Sequence, residues 1–117
     1  MCYTYIVIKR DYKYINKGEW PMAKIMAVIK EPGKKPYAKK ISNDIDTMQK
    51  IVGGYIEISS INGVDFICNE EGKLRGLPHN FTTPYDYIVG TVAFLGTDLE
   101  TGEFCDAPVD KVMKMFA

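Results

Sequence analysis

Apolar positions recur along this chain with two different periods, and the switch between them falls in residues 48–58. From Asn43 to Val52, Ile45, Met48 and Val52 are spaced to share one face, which predicts a short helix. Gly53 and Gly54 end it, because glycine accepts the left-handed backbone that closes a helix. Tyr55 to Ile61 then alternates, with Ile56 and Ile58 on one face and Tyr55, Glu57 and Ser59 on the other. That alternation predicts a strand, so the remaining strands are expected to pack around a helix-to-strand corner.

The same patterning predicts further strands. Residues 1–9 are rich in β-branched and aromatic side chains, and Tyr12 and Tyr14 continue an alternation up to a turn at Asn16-Lys17-Gly18. Trp20 reads either as an anchor of this arm on the core or as a binding-surface aromatic. Residues 1–21 are read as an N-terminal arm and 22–117 as one domain. Ala23 to Lys30 is apolar on both alternating sets, as expected of a central strand. A Pro- and Gly-containing turn leads to a polar edge strand, Tyr37 to Ile41, and Ser42, Asn43 or Asp44 caps the helix. Asn62-Gly63 predicts a type I′ hairpin into Val64, Phe66 and Cys68. Residues 74–84 read as an irregular loop. Tyr85 to Leu95 reads as one long central strand in which Gly90 allows a bulge. A short strand, Glu103 to Cys105, precedes a final helix capped by Asp106, with Val109, Val112, Met113 and Phe116 on one stripe. The expected class is α+β: a mostly antiparallel sheet of about five to seven strands with two short helices.

Composition narrows the functional classes. At 117 residues and 46% hydrophobic content the chain suffices for one core without metal or disulfide staples. Lysine plus arginine equals aspartate plus glutamate, at 15 each. Zero net charge argues against broad nucleic-acid binding, while leaving room for a local basic patch. Three scattered cysteines and a single histidine give no zinc spacing, so no metal or cofactor is expected. Free thiols, together with the lack of a signal-peptide pattern or an apolar run of membrane-spanning length, point to the cytoplasm.

No order of residues suggests a catalytic centre. Gly53-Gly54 lacks the rest of a phosphate-binding loop and reads as a helix stop. Glu70-Glu71 reads as a solvated turn, Cys68 as a small core residue, and His79 as a loop or ligand-contact residue without a partner acid. The protein is therefore expected to bind rather than to catalyse. Residues 69–85 carry the parts of a nucleotide-like site. Arg75 suits a phosphate, and Asn69 and Asn80 suit a base or ribose edge. Phe81, Tyr85 or Tyr55 suits base stacking, with His79 as a further contact. The plain alternative is an ordered surface loop with no ligand.

Several pieces keep a recognisable order. They are Ile29-Lys30-Glu31-Pro32-Gly33-Lys34, Ile51-Val52-Gly53-Gly54-Tyr55-Ile56-Glu57, Asn69-Glu70-Glu71-Gly72-Lys73-Leu74, Gly76-Leu77-Pro78 with Asn80, Ile88-Val89-Gly90-Thr91 and Thr101-Gly102-Glu103-Phe104. Together, across about residues 22–116, they resemble a family of small uncharacterised domains, a domain of unknown function common in phages and mobile elements of Firmicutes. The resemblance brings no catalytic residues. It implies a setting in which small proteins counter host defence inside a bacterial cell. Two expectations follow: sequestration of a nucleotide-derived immune signal, or inhibition of a defence enzyme such as a restriction or CRISPR nuclease by direct contact. Hydrolysis of such a signal is a weaker third. Tyr3, Tyr5, Tyr12, Tyr14 and Trp20 motivate the contact reading. Two strands apolar on both sides leave a sheet face for the arm or a second subunit to cover, so a homo-oligomer is expected.

Overall fold

The computed structural model describes residues 24–117, and the arm, including Trp20 and its tyrosines, lies outside them. The class is α+β. Strands β1 (Lys24–Lys30) and β2 (Tyr37–Ser42) form a hairpin, followed by helix α1 (Ile45–Val52). Strands β3 (Ile56–Ile61) and β4 (Val64–Asn69) form a second hairpin. Next come β5 (His79–Thr82), β6 (Tyr87–Val89), β7 (Val92–Thr97), β8 (Phe104–Cys105) and helix α2 (Val109–Met115). The main sheet runs β2-β1-β7-β4-β3, with β8 paired to β7, and β5 and β6 form a separate ribbon. Every pairing among the described residues is antiparallel.

Local chemistry fixes the corner and the turns. The Asp44 side chain accepts the Thr47 N–H at 2.7 Å and caps α1. At the other end Gly53 has φ 83° and donates its N–H to the Gln49 carbonyl. Asn62 and Gly63, at φ 53° and 78°, supply the two positive angles of a type I′ turn.

Alternation along each strand builds a core on both faces of the sheet. Ile25, Ile29, Ile67 and Leu95 pack beneath α1 with Met48 and Val52. Val28, Phe66 and Phe94 point to the other face, where the β5–β6 ribbon brings Phe81 and Ile88 and α2 brings Val112 and Phe116. The Phe81 ring lies 5.6 Å from Phe66 and 5.2 Å from Phe116, both edge-on, as aromatic quadrupoles prefer. The second face, which the sequence left for an arm or another subunit, is thus covered within the described residues.

Three expectations are corrected. Tyr85 to Leu95 is not one strand: it breaks at Gly90, φ 77°, into β6 and β7. The period of two gives no warning, because Ile88, Val92 and Phe94 still share a face across the break. The break is held by Asn80, whose Nδ2 donates to the carbonyls of Gly90 at 2.7 Å and Lys30 at 2.8 Å. Residues 74–84 are not wholly a loop, since β5 lies within them. Asp106 does not cap α2. Its Oδ1 accepts the Met26 N–H at 2.7 Å, and Pro108 stands at the helix N-cap without a side-chain hydrogen bond.

Candidate functional site

Along the β3 side of the sheet, β3 and β4 face the β5–β6 ribbon across a cleft of about 150 Å³. Alternation aims Glu57 and Ser59 of β3 and Cys68 of β4 into it. The turn after β4 adds Glu70, Lys73 and Leu74, and the ribbon adds Asp86 and Tyr87. Asn69 sets this turn. Its Nδ2 donates to the Val52 carbonyl at 3.1 Å and its Oδ1 accepts the Glu71 N–H at 2.7 Å, which ties the end of α1 to the cleft.

Lys73 and Asp86 close one side as an exposed ion pair. The Lys73 ammonium also lies 4.3 Å from the centroid of the Tyr87 ring, in cation–π contact. Asp86 raises the pKa of Lys73 through their hydrogen bond, and the same bond, with the Tyr87 N–H, lowers that of Asp86. Both groups are thus charged at neutral pH. Burial, reinforced by the charges of Glu57 and Asp86, pushes the Cys68 thiol up to about 12. A thiol so protonated is no nucleophile at neutral pH.

Among the described residues the cleft lining holds three carboxylates, Glu57, Glu70 and Asp86, and one lysine, Lys73, which pairs with Asp86. Its rim is apolar. Leu74 is 88% exposed and Tyr85, next to Asp86 in the chain, is 95% exposed. Tyr87 and Tyr55 are about half exposed.

The seven residues expected to meet a ligand separate into two groups. Asn69, Asn80 and Phe81 serve the fold: the asparagines satisfy backbone groups and Phe81 is in the core. Arg75, His79, Tyr85 and Tyr55 stay at the surface. Arg75 bonds the Glu71 carboxylate at 3.2 Å and the Gly53 carbonyl at 3.4 Å. That second bond brings its guanidinium beside the chain leading to Tyr55. His79 Nε2 is 2.9 Å from Thr82 Oγ1 on its own strand. Sequence reasoning missed Glu57, Ser59, Lys73, Asp86 and Tyr87 as cleft residues. The Glu57/Ser59 alternation was visible, but the ribbon that faces it was not.

Among the described residues no group of three or more His, Cys, Asp or Glu is placed to hold a metal ion. None of their helices is long and apolar enough to cross a membrane.

The family model for a domain of unknown function, DUF3846, matches residues 24–117. The chain belongs to the DUF3846 family. No curated protein and no solved structure matches it. The matched DUF3846 span contains both hairpins, both helices and the whole cleft.

Proposed function

We propose that this DUF3846 protein is a non-catalytic binder that docks a partner protein on the β3/β6 cleft. In the phage and mobile-element setting that the resemblance implies, the partner is a host defence enzyme in the bacterial cytoplasm. The supporting observation is the carboxylate-lined cleft with Leu74 and Tyr87 in its lining and Tyr85, next to Asp86 in the chain, 95% exposed. Exposed tyrosines around a recess that admits one side chain are how protein interfaces place their anchors. About 150 Å³ is small beside the 300–1,000 Å³ typical of small-molecule pockets. Glu57, beside the Lys73–Asp86 pair, favours an arginine or lysine of the partner over a phosphate.

Sequestration of a nucleotide-derived signal is a second reading. Its specific support is Arg75, an exposed phosphate-binding group held at the Gly53 carbonyl, two residues before Tyr55 in the chain. Hydrolysis of such a signal has no supporting geometry comparable to this.

Affinity capture from host lysate, with the Leu74→Ser/Tyr85→Ser/Tyr87→Ala triple variant as comparison, tests the first reading. The variant should lose the captured protein while keeping the wild-type melting temperature. Undiminished capture by a folded variant refutes the cleft as the docking site. Native mass spectrometry for a retained nucleotide, with Arg75→Ala as comparison, tests the second.

A further inference from the structure

Whole-chain neutrality hides two oppositely charged regions. Residues 24–50 carry seven lysines against three acidic residues, whereas 51–117 carry four basic residues against ten acidic ones. The lysines gather on the β1–β2 hairpin, where Lys34, Lys35, Lys39 and Lys40 are all exposed. Within the described residues, Lys34 pairs with Glu31, while Lys35, Lys39 and Lys40 take part in no ion pair.

A second recess opens at this edge, on the α1 face and away from the acidic cleft. It measures about 190 Å³ and is lined by Ile29, Glu31, Tyr37, Lys39, Ile51 and Thr91. Tyr37 is 42% exposed, and its hydroxyl donates to Glu31 Oε2 at 3.2 Å, which fixes the ring in orientation. Apolar atoms of Ile29 and Ile51 stand beside the ring, and lysines flank it in the chain on both sides.

We propose that this edge binds single-stranded nucleic acid, with one base stacked on Tyr37 in the recess and its phosphates against Lys35 and Lys39. A positioned aromatic bordered by unpaired cations is the combination that non-specific single-strand binders use. The recess admits an unstacked base, which a duplex does not offer. The acidic remainder of the surface repels the backbone elsewhere, confining the strand to this edge.

Fluorescence anisotropy of the full chain with labelled oligo(dT) and oligo(rU), against a duplex of equal length and over a salt series, tests this. Binding should be tighter to the single strands than to the duplex. Tyr37→Ala should weaken it by about 5- to 100-fold, in line with the loss of one stacked base. Tyr37→Phe should retain most of it. Lys35→Ala and Lys39→Ala should each reduce the slope of log K against log salt by about 0.7. Melting curves of these surface variants should match wild type. No binding at low salt, equal binding of the duplex, or full binding by folded Tyr37→Ala overturns the proposal. The last of these outcomes would make the edge a general polyanion or acidic-protein surface. The cleft variant Tyr87→Ala should bind oligonucleotide normally, so failure of the cleft reading and failure of this one are separable.

Discussion

Asparagine illustrates why the roles of single residues in the candidate loop are hard to read from sequence. Its amide suits a ligand's edge and a stranded carbonyl equally well, and the choice depends on contacts across 50 positions in sequence, as between Asn80 and Lys30. Asn80→Ala should leave two carbonyls without their donor and cost about 1–3 kcal/mol in urea denaturation. His79→Ala and Tyr85→Ala, both at exposed positions, should stay within about 0.5 kcal/mol of wild type. A destabilisation by Asn80→Ala no larger than theirs would return Asn80 to the ligand-contact role. Cys68 was legible as a core residue, because it continues the Val64/Phe66 alternation. Its thiol ionises near 9.0 when unfolded and near 12 when folded. The unfolded state therefore releases this proton first as pH rises, and stability should fall between those values. Against Cys68→Ala, which removes this group alone, wild type should lose stability more steeply with pH over that window. Parallel curves would refute the shift.

At the scale of elements, the two hairpins and the α1–β3 corner were legible because each is decided locally. Asn62-Gly63 and Gly53 dictate backbone angles by their own chemistry. The β5–β6 ribbon was not legible, because β5 has four residues, β6 has three, and their pairing shifts register between His79 and Phe81. What makes the ribbon is remote: Phe81 enters the core and Gly90 turns the chain onward into β7. A Cβ at Gly90 would lie 2.8 Å from Leu77 Cδ1, at a φ of 77°. Gly33 has nearly the same φ, 76°, but nothing near. Because the atom met is the tip of a flexible side chain, Gly90→Ala should cost somewhat more than Gly33→Ala, for which the positive angle alone costs about 1–2 kcal/mol. Equal costs in chemical denaturation would mean that Leu77 yields and that the break is not sterically enforced.

Over the whole molecule, a count of apolar strand faces foresaw the two-sided sheet but not what covers it. Residues 74–84 read as an irregular loop, which leaves out the ribbon and assigns that face to the arm or a second subunit. With the ribbon and α2 laid over Val28, Phe66 and Phe94, both faces of the sheet are closed by the chain itself. Folding of the 24–117 unit should then not require association. Self-association remains open to the molecule through the Leu74/Tyr85/Tyr87 rim, an exposed apolar surface of the kind that recruits partners or copies. These two roles of association differ in a measurable way. When subunits must assemble to fold, the unfolding midpoint rises with protein concentration by mass action. The midpoint of this chain in urea should stay constant from about 1 to 100 µM, whatever mass light scattering gives for the native state. A midpoint that climbs with concentration would show that the covered face is not enough and that a partner copy completes the fold.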